Sequence, residues 1–323
     1  MSTNDYALEL EQKSTQQLKR QKKIAYVVGL IARYVFLLLI GYVVLFQLFY
    51  MISYAFRPQE QLYDPAVVWI PRSWTLENFG NALLALDFAN SAIKTVTYML
   101  VSAAIEIVSC ALVAYGLARF RFPEQKFIFG LVLLTILVPP QMLSIASYVQ
   151  FSRMDILGII QACNKIFGTT WRWNVIDTPL PFWLPSLFGV GIRSGLFIFI
   201  YRQFFLSLPR ELEEAAWIDG AGSIRTFTNI IIPSSGSAVL TVSIFSFLWH
   251  WNDYYQSSMY IETGSTLTMA LNRVTASLKE LEIKSTPNLQ MAACFAVILP
   301  VLLLYMIAQR WFIRSIERSG IVG

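Results

Sequence analysis

Apolar residues fall along the chain in six long runs, at about 34–56, 91–117, 127–149, 182–205, 236–257 and 291–312, with polar or proline-bearing stretches between them. A helix that crosses a bilayer needs roughly 20 mainly apolar residues, so each run predicts one transmembrane helix. The fold class expected is all-α, a polytopic membrane protein with six transmembrane helices. Composition agrees: 56% of residues are hydrophobic and 14% charged, whereas soluble domains carry about 25% charged residues. An even number of spans puts both termini on one side, and Lys and Arg say which side. One set comprises Lys13, Lys19, Arg20, Lys22, Lys23, Arg33, Arg119, Arg121, Lys126, Arg202, Arg210, Arg225, Arg310, Arg314 and Arg318, 15 in all. The opposite set comprises Arg57, Arg72, Arg153, Lys165, Arg172, Arg273, Lys279 and Lys284, eight in all. Both termini are therefore expected in the cytoplasm. The net charge of +5 is accounted for by these flanks and calls for no nucleic acid; the partner it fits is the lipid bilayer. The chain then divides into a cytoplasmic tail (1–33), a six-helix transmembrane domain (34–312) that includes a cytoplasmic loop (207–233), and a second cytoplasmic tail (313–323). The apolar run after Lys22-Lys23 is too long for the core of a signal peptide, so the first span is expected to stay in the mature protein.

Outside the membrane, Trp74-Thr75-Leu76-Glu77-Asn78-Phe79 reads as the start of a short amphipathic helix at the interface. The 150–181 segment is long and bears Trp171 and Trp173, and the 258–290 segment is expected to fold locally around Leu267–Leu281. Pro139-Pro140 should break or kink the third span, because each proline removes a backbone donor. Gly189-x-Gly191-x-x-x-Gly195 lies inside a span and misses the spacing of a nucleotide fingerprint; close helix packing explains it better. No P-loop occurs anywhere. Cys110, Cys163 and Cys294 have neither paired nor metal-like spacing, and His250 is the sole histidine. No metal site, catalytic triad or bound cofactor is therefore expected, and the chain is not read as an enzyme.

Charges within spans are expensive and are functional suspects by default. Lys94, near an outer end, is expected to snorkel. Glu106 and Arg193 fall near the middle of spans two and four and are a candidate buried ion pair. In the fifth span His250, Asn252 and Tyr254 are candidates for a translocation path. Equally, His250 fits a packed, hydrogen-bonded role, and the tyrosines fit an outer interfacial belt.

The cytoplasmic loop is the most specific segment. Pro209 fits a first helical position, Glu211, Glu213 and Glu214 favour the positive end of a helix, and Gly220 fits the left-handed residue that ends one. Ser223 can cap a second short helix through Ile231, and Pro233 begins the next span. Small residues at the turn would let a partner approach, with Trp217 and Ile218 expected to brace the loop against the membrane helices.

Glu214-Ala215-Ala216-x-x-Asp219-Gly220-Ala221, continued by Phe227, Ile231 and Pro233, resembles the EAA loop of permease subunits in binding-protein-dependent ABC importers. Ala114-Tyr115-Gly116-Leu117-Ala118-Arg119-Phe120-Arg121-Phe122-Pro123, Val138-Pro139-Pro140-Gln141, the Phe197–Phe205 stretch and Trp249-His250-Trp251-Asn252-Asp253-Tyr254 are similar to the maltose-type carbohydrate branch. The similarity runs from about residue 55 to the C-terminus. It departs at 158–181, which is longer than the family's usual connection. The resemblance implies a type I ABC importer permease fold. It also implies that Glu213, Glu214, Ala215, Ala216, Asp219, Gly220 and Ala221 form a coupling helix seated on an ATPase subunit. The implied partners are a second homologous permease, two ATPases that hold ATP and Mg, and an extracytoplasmic solute-binding protein, all at a bacterial-type inner membrane. The Gln309–Gly323 tail resembles one that reaches between the ATPases in some members, or is simply a frayed basic terminus. Alternatives are an importer of the same type for a polyamine, phosphonate or glycerol phosphate, or a secondary transporter or membrane enzyme that uses Glu106 and Arg193.

Overall fold

The computed structural model describes residues 3–65, 69–155 and 158–320, with side chains described between 22 and 310. The side chains of the 1–21 tail and of 311–320, and all of 321–323, lie outside the described residues, so the basic residues expected there are not placed. Among the described residues the chain is helical, with a single isolated bridge, Met154 to Trp173, in place of any strand. It divides into two compact units, Met1–Leu76 and Glu77–Gly323.

In the first unit, helix α1 (Thr3–Ala55) runs without interruption through the expected boundary between tail and first span. Its apolar part is Lys22–Ala55. Side chains such as Phe36, Leu38 and Val43 are exposed, as residues facing lipid are. The chain then folds back: the Thr75 amide donates to the Phe56 carbonyl (3.0 Å), and the rings of Phe56 and Trp74 lie 5.5 Å apart.

The second unit begins with α2 (Glu77–Ala85). It starts later than the Trp74–Phe79 stretch expected at the interface, and it packs on protein. Asn78 Oδ1 accepts from Asn288 Nδ2 (3.1 Å), and Phe79 meets Phe295 edge-on at 6.0 Å. Helix α3 (Phe88–Arg119) is the second span, with a π turn at Thr95–Leu100. The third span is α4 (Gln125–Leu137) and α5 (Pro140–Ser152), bent by 98° at the expected Pro139-Pro140, where two consecutive backbone donors are missing. A short α6 (Ile159–Phe167) follows on the long connection.

The fourth span departs from expectation. In place of one helix over 182–205 there are α7 (Leu180–Leu187) and α8 (Ser194–Ser207), with a non-helical stretch between them. Pro185 lies inside α7, and Gly189 and Arg193 both adopt positive φ (68° and 63°). The glycine pattern read as helix packing is thus split in role. Gly189 and Gly191 form the break, while Gly195 packs α8 against α4, where an added Cβ would lie 3.0 Å from the Val132 carbonyl oxygen.

The loop helix α9 (Glu211–Ile218) leads into α10 (Ser223–Ser234). α10 meets α11 (Gly236–Trp251) at 84°. The fifth span stops there, short of the expected 257, and α12 (Tyr255–Tyr260) is a separate turn of helix. An amphipathic α13 (Leu267–Glu280) and the final α14 (Pro287–Gly320) complete the chain. Among the described residues three helices are long and apolar enough to cross a membrane alone, or five if each bent pair counts as one. The remaining expected span, over 182–205, is not among them, because α7 and α8 are each too short and are separated by the break.

The core joins α3, α8, α10 and α11. Cys110, Ala111, Ala114 and Ala118 present small side chains to Phe197, Tyr201 and Phe205, with Phe227, Ile231 and Val242 closing the other side. In lipid, helices associate through such close van der Waals contact and not through a hydrophobic drive.

The break makes Gly191 a test of this packing. A Cβ there would lie 2.8 Å from Glu106 Oε1 and from Ser186 Oγ, and 3.1 Å from Ser186 Cα. Gly191→Ala is expected to destabilise by about 1–3 kcal/mol through overpacking. Gly130→Ala, inside α4 with nothing within 4 Å of the added Cβ, should instead match the parent or exceed it by up to about 1 kcal/mol. Thermal unfolding in detergent measures both.

Candidate functional site

Helix α9 is built from both ends by local chemistry. Pro209 sits in the entry turn and not in the first helical position, which Glu211 occupies. The amides of Glu213 and Glu214 bond the Arg210 carbonyl (2.9 and 3.1 Å), and three acidic residues in the first turn face the positive end of the helix. At the other end Gly220 has φ +79°. The Ala221 amide donates to the Ala216 carbonyl (2.9 Å) and the Gly220 amide to the Trp217 carbonyl (3.0 Å), the two-bond termination that a left-handed residue allows. Ser223 does not cap the next helix; Gly222 takes that place and Ser223 is the first helical residue.

The facing of α9 is the reverse of what its apolar residues suggest. Glu213 and Ala216 are buried within this chain, while Glu214, Ala215, Asp219 and Gly220 are exposed and Ala221 half-buried. Trp217 and Ile218, expected to brace the loop, are 51% and 86% exposed. Bracing comes instead from α10 and from a charge. Phe227 packs on Tyr115 (ring centroids 5.0 Å) and on Phe205 (6.5 Å). Glu213 Oε2 lies 3.4 Å from Arg119 Nε, both side chains being almost fully buried. Arg119 Nη2 also donates to the Leu208 carbonyl (2.9 Å). Arg119 looked like one more charge at a span end, and nothing in its spacing from Glu213 signals the contact.

Among the described residues the expected Glu106–Arg193 ion pair does not form. Glu106, with no exposure, accepts from Ser194 Oγ at Oε1 and from Ser246 Oγ (3.3 Å) at Oε2, and His250 Nε2 lies 3.6 Å from Oε2. The His250 Nδ1 lies 2.9 Å from the Ser246 carbonyl oxygen, to which it donates. Arg193 is turned away by its left-handed backbone, and its guanidinium stands 5.6 Å from the Trp249 ring. The depth match between the two charges assumed a continuous fourth helix, and the break removes it.

That break opens a cleft of about 230 Å³ whose lining includes Gln150, Phe182, Gly191, His250, Gln256 and Tyr260. Broken backbone at membrane depth is tolerated where it lines a cavity. Of the three path candidates only His250 lines this cleft. Asn252 is exposed and bonds the Leu248 carbonyl (2.8 Å), and Tyr254 is 40% exposed. Because α11 ends at Trp251, Gln256 and Tyr260 reach the cleft in place of Asn252 and Tyr254. Among the described residues no cluster of three or more His, Cys, Asp or Glu is placed to hold a metal.

At the Lys94 end of α3, remote from α9, a polar latch holds the 261–266 turn. Asp177 Oδ1 accepts from the amides of Glu262 (3.1 Å) and Thr263 (3.0 Å), and the Leu267 amide donates to Thr95 Oγ1 (2.9 Å). Lys94, expected only to snorkel, donates to the Thr263 carbonyl. Burial works to raise the Asp177 carboxyl, but the hydrogen bonds from Thr263 and Glu262 and the charge of Lys94 outweigh it and hold the group below its ordinary value.

Residues 107–318, more than half of the chain, match the family described as "Binding-protein-dependent transport system inner membrane component". The chain is 27% identical over 253 residues to the alpha-glucoside transport system permease protein AglG of Rhizobium meliloti (strain 1021), covering 78% of this chain and 62% of that protein. It is 25% identical over 327 residues to the probable ABC transporter permease protein YurM of Bacillus subtilis (strain 168), covering 99% and 98%. It is 28% identical over 206 residues to the sn-glycerol-3-phosphate transport system permease protein UgpE of Yersinia enterocolitica, covering 64% of each. The match thus spans less than two thirds of the alpha-glucoside and glycerol-phosphate proteins. A crystal structure of a bacterial ABC transporter involved in the import of the acidic polysaccharide alginate shares the fold, with a TM-score of 0.66 at 17% identity over 87% of this chain and 95% of that one.

Two outcomes follow from the local geometry. Gly220→Val forces a β-branched residue into left-handed backbone, at a cost of about 1–2 kcal/mol, and should fray the end of α9; hydrogen exchange at the Gly220 and Ala221 amides measures it. A carboxyl held below its unfolded value contributes stability above that value and loses it as pH falls through the lower folded one. Exchange at Glu262 and Thr263 should therefore stay slow at neutral pH and quicken, beyond the intrinsic rate, only in acid stronger than the usual Asp range. Asp177→Ala should quicken it about tenfold or more at neutral pH, since hydrogen bonds to a charged group contribute about 1.5–3 kcal/mol.

Proposed function

The chain belongs to the binding-protein-dependent transport system inner membrane components, and from that premise we propose that it is the permease subunit of an ATP-driven importer of a sugar or oligosaccharide. In this reading ATPase closure drives alternating access through the 209–220 segment. ATP and Mg are held by two separate ATPase subunits, because this chain carries no P-loop. A second, homologous permease completes the membrane path, and an extracytoplasmic binding protein delivers the solute. Both termini and the 207–233 loop face the cytoplasm, as the excess of Lys and Arg on that side supports.

The observation that carries the coupling role is the outward face of α9. Its inner side is already engaged by this chain, yet Trp217, Ile218 and Ala215 point away from it. An apolar face of this kind marks a site of protein association, and Trp is the residue type most enriched among those that dominate binding energy. Ala216 is covered from within its own chain, so in this reading the contact with a partner falls to Ala215, Trp217 and Ile218.

For the solute, the lining of the cleft favours a neutral polyhydroxy compound. It combines the amides of Gln150 and Gln256, the hydroxyls of Ser147 and Tyr260, and the rings of Phe151 and Phe182, with no Lys, Arg, Asp or Glu. Glycerol phosphate is the second reading, favoured by the similarity to UgpE, but its charge finds no cation in that lining. A phosphonate meets the same difficulty, and a polyamine, being a cation, finds no carboxylate in that lining. A secondary carrier or membrane enzyme is set aside by membership in a binding-protein-dependent family.

Replacing Trp217 and Ile218 together with alanine tests the coupling role in the co-expressed importer. Recovery of the ATPases with the permease, or stimulation of ATP hydrolysis by the loaded receptor, should drop about tenfold or more. Wild-type values for both would count against the reading.

A further inference from the structure

The inner face of α9 poses a question that loop stability does not answer. Two residues of the helix are buried, Glu213 and Ala216, and one of them is a charge. Glu213 meets Arg119 at 3.4 Å, with their side chains 4% and 5% exposed. A buried ion pair is weak evidence for stability, because well-packed apolar residues of similar volume often do as well or better. What an ion pair adds is direction: it holds one register, where an apolar contact can slide.

Arg119 is the last residue of α3, and the end of that helix gathers contacts from every neighbouring element. Arg119 Nη2 bonds the Leu208 carbonyl where α8 gives way to the loop (2.9 Å). Arg202 Nε on α8 bonds the Leu117 carbonyl (3.1 Å), and Gln125 Nε2 at the start of α4 bonds the same carbonyl (2.6 Å). By contrast, α9 is joined in sequence to α8 through Leu208-Pro209-Arg210 and to α10 through the Asp219–Gly222 turn. Both are short connections outside helix. Glu213 links α9 to a long span by side chain, through its charge contact with Arg119 and a hydrogen bond with the Tyr115 hydroxyl, both residues lying on α3.

We propose that this pair is the joint that passes displacement of α9 to α3, with Arg119 as the positioning residue; the proposal rests on α9 being the coupling helix. When a partner moves α9, Glu213 carries the end of α3 with it. Arg119, fixed also to Leu208, keeps α3 and α8 in step. α3 in turn bears Glu106, which bonds Ser194 and Ser246 beside the cleft, so a displacement entering at Arg119 arrives where the fourth span is broken.

The test uses the complete importer in proteoliposomes, with Cys110, Cys163 and Cys294 replaced by alanine and spin labels at Val108 on α3 and Leu303 on α14, both exposed. The distance between the labels is measured before and after trapping with ATP and vanadate, in the parent, in Arg119→Gln, in Glu213→Gln and in the double variant. Each single variant should assemble and trap vanadate like the parent, yet lose at least half of the parent's distance change. The double variant should recover most of it, because two amides span the same gap without an uncompensated buried charge. A parent-like change in both single variants would overturn the joint, as would loss of assembly in either one or a double variant no better than the singles. If the parent itself shows no change on trapping, or if Trp217→Ala/Ile218→Ala leaves assembly and stimulation intact, the coupling reading fails and the joint with it. Single variants that behave like the parent beside a Trp217–Ile218 effect remove the joint alone.

Discussion

A carboxyl group with no solvent exposure inside a membrane span has to be answered by the protein around it, and the answer given to Glu106 sets the positions of three helices. Ser194 is the first residue of α8 after the break, and Ser246 and His250 stand one turn apart on α11; all three converge on the one carboxyl group. Neutral or charged, an unanswered Glu at this depth would be costly, so the interruption of the fourth span and the glycine at 191 belong to the same solution. A side chain at 191 would occupy the space of the Glu106 carboxyl. Once the helix is interrupted, its loosened backbone must face protein or a cavity, and it does both, with Gly191 at the cleft and Ser194 on Glu106. His250 belongs to both settings: its ring lines the cleft and its Nε2 faces Glu106. The polar core and the candidate solute site are therefore two sides of one wall.

The ends of α3 are held by different means. At the Lys94 end the hold is through backbone groups: the amides of Glu262 and Thr263 turn to Asp177, the Thr263 carbonyl to Lys94 and the Leu267 amide to Thr95. At the Arg119 end it is through rings and a charge, Tyr115 on Phe227 and Arg119 on Glu213. Between them the Ala and Cys face of α3 lets α8 approach closely. One helix thus touches the 261–266 turn, the cleft wall and the loop, and its ends are fixed by lysine and arginine, the residues whose long stems let a charge reach past apolar neighbours.

What could be read in the chain beforehand was what depends on length and on single-residue chemistry. Long apolar runs located the spans, Pro139-Pro140 located the bend in the third, and Gly220 located the end of α9. What depends on the phase of a helix was lost wherever the helix stopped early. The fourth run is apolar enough overall to suggest one helix despite Pro185, Gly189 and Gly191, and an unbroken rise per residue puts Arg193 at the depth of Glu106; that rise does not hold over 188–193. The fifth run continues past Trp251 as a polar and aromatic stretch, Asn252-Asp253-Tyr254-Tyr255-Gln256-Ser257, which does not mark where the helix ends. With α11 ending at Trp251, Asn252 and Tyr254 turned outward, and Gln256 and Tyr260 took the cleft. The error at Trp217 and Ile218 was different in kind. It assumed that the apolar side of a helix faces its own protein, and Arg119 made a carboxylate the better inward residue.

That inversion bears on how a loop can be both fixed to its own chain and offered to another. Burying apolar area contributes about 25 cal/mol per Å² wherever it happens, so a helix that spent Trp217 and Ile218 on its own membrane domain would have little left to attract a partner. Holding the inner side with Glu213, Ala216 and the neighbouring Phe227 leaves the larger apolar residues free. The two attachments then differ in character. The outer one is broad, apolar and tolerant of small shifts, as suits a surface on which a partner closes and opens. The inner one is narrow and oriented, centred on the contact between the buried charges of Glu213 and Arg119. A displacement imposed from outside is taken up where the contact is loose and handed on where it is strict, and that ordering sends it toward α3 and the wall of the cleft.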